Sequence, residues 1–187
     1  TIALKINNKF ILKKLQTNII KYEALSLVVL DFIREQSITI EHNFSIIVNS
    51  GPGSFSGIRI ALAVAKGIQL VKKINIYSYN TFLLNAAPYL KEQKNIISII
   101  KTNNFYYFSE GSIVKNYSFS TPKKLDVSSL KTTNVLIVIS EDIKNDKIVN
   151  SFIKKKVSIA EFDLKNVNEL IENNLLENKL IKPLYLS

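Results

Sequence analysis

The sequence predicts an α/β protein built from two similar halves, and three observations carry that reading. Short apolar runs alternate with segments of helical spacing along the whole chain, which is the pattern of a sheet with helices packed on it. Each half opens on an antiparallel ribbon and continues in strand–helix units. Four of the five glycines, Gly51, Gly53, Gly57 and Gly67, fall in one window where a strand passes into a helix. A length of 187 residues suits one domain or two small lobes, and 47% hydrophobic against 21% charged residues is globular rather than disordered. The lobes are expected at 1–90 and 91–187.

The first half reads as follows. Ile2–Ile6 and Phe10–Leu15 flank Asn7 and Asn8, which tolerate the positive φ of a tight turn, so the chain opens as a hairpin. Tyr22, Leu25, Val29 and Phe32, widened by Ala24 and Val28, predict a helix over about Asn18–Gln36. Phe44–Val48 is a buried strand, followed by the glycine-rich loop Ser50–Ser56 and a helix to about Lys73. Ile74–Tyr79 is a further strand, and Thr81–Leu90 a short helix interrupted near Pro88.

The second half begins with a meander of three strands, Asn95–Ile100, Phe105–Ser109 and Ser112–Phe119, joined by Asn- and Gly-containing turns. Pro122–Lys131 reads as a loop, Asn134–Ile139 as a strand, Glu141–Ile153 as a helix and Val157–Phe162 as a short strand. The last helix is expected to start at Asn166, with Glu169 completing a capping box and Val167, Leu170, Ile171 and Leu175 as its apolar stripe. The second ribbon has three strands and the first only two. For a duplication, the element without a counterpart is a strand immediately before Thr1.

Residue counts exclude several chemistries. There is no Cys and no Met, and His42 is the single histidine. Disulfide scaffolds, thiol nucleophiles, Cys-containing zinc sites and any site needing two imidazoles are therefore ruled out. His42 follows Glu41 in a polar connection. The net charge is +10, but Arg34 and Arg59 are the only arginines among 25 basic residues. Ile, Lys and Asn, all with A/T-rich codons, make up 71 of the 187 residues. Compositional drift and solvated faces therefore explain the charge more readily than phosphate binding, which would favour the arginine fork. Weak general attraction to RNA remains. No run nears the ~18 apolar residues of a membrane span, and no signal-peptide pattern opens the chain, so the cytoplasm is expected.

The glycine window has the strand–glycine–helix order of a phosphate cradle. It lacks the Gly-Lys-Ser/Thr of a Walker loop, and its glycines miss the dinucleotide spacing, so a tight turn without ligand is the plainer reading. The helix from Ile58 to Val71 is apolar nearly all round, with Arg59, Lys66 and Gln69 as a narrow polar stripe. Gly57, Ala61 and Ala65 step by four, a strip on which another helix can approach closely. That helix belongs either to the protein's own packing or to a partner. Arg59 faces loop carbonyls, a partner carboxylate or solvent. Glu23 and Asp31 read as solvated or interface-rim charges, and Phe105–Phe108 as half-buried alternation or a base-stacking platform.

The run from Gly51 to Gly67, Gly-Pro-Gly-Ser-Phe-Ser-Gly-Ile-Arg-Ile-Ala-Leu-Ala-Val-Ala-Lys-Gly, closely resembles the signature of the TsaB family of tRNA threonylcarbamoyladenosine biosynthesis proteins. Lys182-Pro183-Leu184-Tyr185-Leu186 is similar to that family's closing Pro-x-Tyr-Leu-Arg, with Ser187 in place of Arg. The resemblance implies a two-lobed fold of the actin-like, sugar-kinase and Hsp70 type, a duplicated ribonuclease H-like unit whose first strand is missing here. It implies a non-catalytic accessory subunit with no cofactor or metal. Such a subunit supports TsaD, which transfers threonylcarbamoyl to the adenosine beside the tRNA anticodon. A TsaE-like ATPase joins the assembly, tRNA is met only through the complex, and some members form homodimers. TsaD carries a His-x-x-x-His clamp, which one histidine cannot make.

The family's partner helices correspond to the first two helices here. The resemblance thus assigns partner binding to Tyr22, Leu25, Val28, Val29 and Phe32 on the first. On the second and its loop it assigns Gly51, Gly53, Gly57, Arg59, Ala61 and Ala65. Lys101-Thr102-Asn103 stands where relatives show an Asp-Ala-Arg-like stretch, and Lys21 or Tyr22 where a His often begins the first helix. These departures imply a reduced protein that keeps its partner helices without nucleotide binding. Two other classes stay open, a metal-dependent peptidase of the wider family and a free-standing RNA-binding module.

Overall fold

The computed structural model is a mixed α/β protein of three sheets whose backbone packs as two units, Thr1–Ser78 with Glu177–Pro183, and Tyr79–Leu176 with Leu184–Ser187. The structure describes residues 1–6, 9–15, 24–91, 95–102, 104–112, 118–126, 135–150, 152, 156–161, 163–178 and 181–186.

In the first unit, β1 (Ile2–Ile6) and β2 (Lys9–Lys13) form the expected hairpin, with Ile2 opposite Lys13 and Ile6 opposite Lys9. The first helix, α1, is described over Leu25–Glu35; the predicted start, Tyr22 and Glu23 lie outside the described residues. It ends where Ser37 turns to φ 55° and the Ile38 N–H bonds back to the Ile33 carbonyl at 3.2 Å. Phe32 and Ile33 of α1 pack with Leu4, Ile40 and Ile74. β3 (Ser45–Gly51) pairs with β4 (Asn75–Asn80), and α2 (Phe55–Lys72) connects them. Ile58, Leu62 and Ala65 on one face of α2 meet Val48, Ile76 and Ile181. Ile181 comes from the returning tail, which Ser78 and Glu177 hold by two backbone hydrogen bonds of 2.7 and 2.8 Å.

The second unit starts with α3 (Thr81–Ala86), capped by the Asn80 side chain, which accepts from the Leu83 N–H at 2.8 Å, and a 3-10 turn at Ala87–Tyr89. Its sheet contains β5 (Asn95–Thr102), β6 (Phe105–Ser112), β7 (Ser118–Phe119), β8 (Lys123–Lys124), β9 (Leu136–Ser140) and β10 (Lys156–Ala160). The order is β10-β9-β5-β6-β7, with β8 also on β6. β5 runs antiparallel to β6 from Asn95–Ser112 to Thr102–Phe105, and parallel to β9 from Ile96–Leu136 to Ile99–Ile139. Ile96–Ile100 are all buried, because both faces of β5 are covered. One face packs Ile97 and Ile99 with Ile137, Ile139, Ile143 and Phe152; the other packs Ile100 and Tyr107 with Phe82 of α3.

Three sequence expectations are corrected here. The helix expected over Glu141–Ile153 is a 3-10 turn at Glu141–Ile143 and a short α4 at Lys147–Asn150. The N–H groups of Asp146, Val149 and Phe152 bond three residues back rather than four, and the Asp146 carboxylate is drawn onto the sheet by Lys101 and Tyr106. The last helix, α5, runs Leu164–Glu172 and is capped by Asp163, whose carboxylate accepts from the Lys165 N–H at 2.9 Å. Asn166 lies inside it, buried, with its amide donating to the Glu161 carbonyl, so the expected capping box does not form. The loop expected over Pro122–Lys131 contains β8, which pairs with Tyr107 and Phe108. Of the strand expected over Ser112–Phe119, residues 113–117 lie outside the described residues.

Gly111 shows why one glycine of the sheet is needed. A Cβ there would clash with the ring of Phe119, which packs against Phe82, Ile100 and Tyr107. Gly111→Val should destabilise by about 1–3 kcal/mol in urea denaturation through overpacking.

A polar cluster fastens the α4 turn to the sheet. Asp146 Oδ2 accepts from Lys101 Nζ at 2.9 Å and from the Tyr106 hydroxyl at 2.7 Å. Those two donors, Lys101 first, hold the Asp146 carboxyl below its ordinary value. A carboxyl depressed by folding stabilises above its unfolded pKa, about 3.9, and that contribution is lost as pH falls through the folded value. Asp146→Asn should therefore lower stability at neutral pH, and the gap to wild type should close below about pH 4 in parallel denaturation series.

Candidate interaction surface on α1 and α2

β3 leads into the glycine window through Asn49, whose side-chain oxygen accepts from the Gly51 N–H at 2.8 Å. Gly51 has φ 107°, a conformation that L side chains rarely adopt, and its bond to Pro52 is cis. Gly53 is different. A Cβ there would make an ordinary contact of 3.5 Å with Ile58 Cδ1. Ser54 caps α2, its hydroxyl accepting from the Gly57 N–H at 3.4 Å while the Ile58 N–H reaches its carbonyl at 2.9 Å. The window therefore works as a sharp turn and a helix cap. Arg59 is exposed, with its guanidinium 5.2 Å from the centre of the Phe55 ring.

The predicted partner residues separate by burial. Phe32 and Ala65, each 3% exposed, close the core of the first unit. Leu25, Val28, Val29, Gly57 and Ala61 are half-buried, and Gly53 and Arg59 are exposed. Tyr22 lies outside the described residues. The small strip of α2 thus turns its Ala65 end onto β3 and β4.

Five large apolar side chains of the same two helices are exposed. Leu70 is 80% exposed and Val71 78% at the end of α2, Phe55 is 56% exposed at its start, and Leu27 and Leu30 on α1 are 64% and 42% exposed. Gly67 sits one turn before Val71, with open space where its Cβ would be. Scattered single apolar residues are ordinary on a surface, whereas these five lie on two adjoining helices of one unit. Sequence reasoning passed over them. The available signal was the polar line of α2, Arg59 and Lys66, which ends one turn later at Leu70.

Other candidates resolve locally. His42 is exposed, and Asp31 pairs with Arg34 at 3.1 Å. No three His, Asp or Glu side chains come together at metal-binding distance among the described residues. In the aromatic run, Tyr107 and Phe108 are buried in the sheet, while Phe105 is exposed with the Lys124 ammonium 3.5 Å from its ring centre. Among the described residues no helix is long and apolar enough to cross a membrane.

No family model matches the chain. Over 76 residues it is 34% identical to the tRNA threonylcarbamoyladenosine biosynthesis protein TsaB of Buchnera aphidicola subsp. Baizongia pistaciae (strain Bp). That match covers 39% of this chain and 34% of the relative, so the chain aligns with about a third of that protein's length. Its fold is similar to the crystal structure of an uncharacterized protein with similarity to peptidase YeaZ from Pseudomonas aeruginosa. The TM-score is 0.68 at 14% identity, over 99% of this chain and 93% of that one. YeaZ from Pseudomonas aeruginosa gives a TM-score of 0.65 at 13% identity, over 97% and 92%. The resemblance to the TsaB family, read from the glycine window, therefore recurs in a curated relative and in the fold of YeaZ proteins.

The two glycines at the ends of this region should respond oppositely to alanine. Gly51→Ala, strained at φ 107°, should cost about 1–3 kcal/mol. Gly67→Ala, mid-helix with nothing within 4 Å of the new methyl group, should stabilise the isolated protein by about 0.5–1 kcal/mol. Chemical denaturation of both variants checks the pair.

Proposed function

We propose that this chain, which resembles the TsaB family in sequence and YeaZ in fold, is a non-catalytic accessory subunit of tRNA threonylcarbamoyladenosine biosynthesis. In this reading it is a two-lobed protein of the actin-like type, acting in the cytoplasm. It supports a TsaD-like catalytic subunit that threonylcarbamoylates the adenosine next to the anticodon. A TsaE-like ATPase shares the assembly, tRNA is bound by the complex rather than by this chain alone, and a homodimer competes for the same face.

The observation that carries the reading is the exposed apolar set of α1 and α2: Leu27, Leu30, Phe55, Leu70 and Val71. Each side chain gains about 1.5–3 kcal/mol when fully taken out of water, so a partner helix laid on them has a driving force that solvent does not supply. These are also the two helices through which the resembled family meets its catalytic subunit. Burial of Phe32 and Ala65 in the core supports assigning contact to the outer faces of the helices rather than to the whole small-residue strip.

Co-purification with the TsaD-like protein of the same organism tests the proposal, and no association at micromolar concentration would end it. Leu70→Glu with Val71→Glu should weaken that association by about tenfold or more. The isolated protein should stay within about 0.5 kcal/mol of wild type, because both side chains are on the surface. Ala65→Leu should instead destabilise the isolated protein by about 1–3 kcal/mol, since its site is already filled.

A further inference from the structure

One row along α2 mixes apolar and cationic side chains. Phe55, Arg59, Ala63, Lys66 and Leu70 follow at spacings of four, four, three and four residues, which is one face of a helix, and all of them are exposed. The row is about 22 Å long at the helical rise. Arg59 and Lys66 stand between its apolar ends, seven residues and about 10 Å apart, rather than on a separate polar flank. Their charges are unmet within the chain. α2 has no Asp or Glu, and neither cation has a carboxylate at ion-pair distance among the described residues. The Arg59 guanidinium lies over the Phe55 ring instead, at 5.2 Å. The acidic residues of α1 are already engaged, Asp31 with Arg34 at 3.1 Å and Glu35 with Lys13 at 2.8 Å.

This arrangement constrains whatever covers the face. A surface that buries Phe55 and Leu70 also takes water from the two cations between them. A lone ammonium or guanidinium loses more on desolvation than a leucine gains, so the covering surface must bring carboxylates to both. A second copy of the chain has none to offer from its own α2, where like charge would meet like.

We propose, resting on the accessory-subunit reading above, that the catalytic partner covers α2 with an apolar helix bearing two carboxylates, one opposite Arg59 and one opposite Lys66. The seven residues between the two cations are about two helical turns, so the carboxylates of the partner helix stand at the same spacing. The two ion pairs select the partner and steer its approach, while Phe55 and Leu70 supply apolar area. For such a helix, charge and apolar area act together; for a second copy they oppose each other. Salt separates the two cases, because it screens attraction in the first and repulsion in the second.

The test measures association of the full chain with the TsaD-like protein of the same organism by calorimetry, in about 50 mM and about 500 mM salt. Wild-type affinity should fall by about tenfold or more over that range. Arg59→Gln with Lys66→Gln should lose about tenfold or more at the lower salt and become nearly insensitive to it, with an unchanged thermal midpoint. Self-association of the wild type, followed by sedimentation, should instead strengthen with salt. An affinity that ignores salt, or that the double variant keeps, overturns the proposal and leaves the accessory role standing. A homodimer strongest at low salt overturns it in the same way. Absence of association at either salt overturns both. A tRNA transcript bound by the wild type alone at physiological salt, and released by the double variant, assigns the cations to phosphate and likewise overturns the proposal.

Discussion

Hydrogen bonding of one buried strand on both of its edges organises the second unit. β5 contributes Ile96, Ile97, Ile99 and Ile100 to the cores on the two faces of the sheet, and its ladders to β6 and β9 fix which side chain meets which core. A slip of one residue would put Ser98 in place of Ile97 or Ile99, and its hydroxyl is already buried without a protein partner among the described residues. The Asp146 cluster and the Gly111–Phe119 contact are built on that register. Lys101 and Tyr106 meet Asp146 because β5 and β6 hold them opposite each other. The first unit lacks an equivalent strand among its described residues and relies on side-chain packing by α1 and α2 instead.

That difference explains which parts were legible in the sequence. Elements whose burial is local were read closely: the hairpin around residues 7 and 8, the helix ending at the left-handed Lys73, and the break near Pro88. Elements decided by distant contacts were not. The run Glu141–Ile153 has helical spacing, but its central Asp146 is bound by side chains 40 and 45 residues away in sequence. The cap of α5 was placed at Asn166 because Asn with Glu three residues on fits a capping box. Asp163 is an equally good cap and leaves Val167 and Leu170 facing the core.

The exposed apolar face of α1 and α2 was half legible for a related reason. Periodicity identifies a helix that is apolar all round but does not say which part of the circumference is covered by its own sheet. The strip Gly57, Ala61 and Ala65 looked like the contact line because small residues permit close approach. In the folded unit that approach is made by β3 and β4 to Ala65, together with Ile58 and Leu62. The opposite side is left with Leu70, Val71 and the open space beside Gly67. A helix squeezed between a sheet and a partner needs small residues on its inner side and large ones on its outer side. Sequence pattern alone gives both without the order.

A set of exposed leucines on two helices of one unit is a route to aggregation, and the chain's composition answers that problem. Lys5, Lys9 and Lys13 are spread along the ribbon of β1 and β2, and Lys66, Lys72 and Lys73 lie beside Leu70 and Val71. Lysine is the residue that most effectively blunts a strand edge, because docking another strand forces its ammonium out of water. A net charge of +10 adds repulsion between copies. That repulsion weakens association between identical copies more than with a neutral or acidic partner, so it biases the exposed helices toward a different protein. Nucleic acid is therefore not required to account for the lysines.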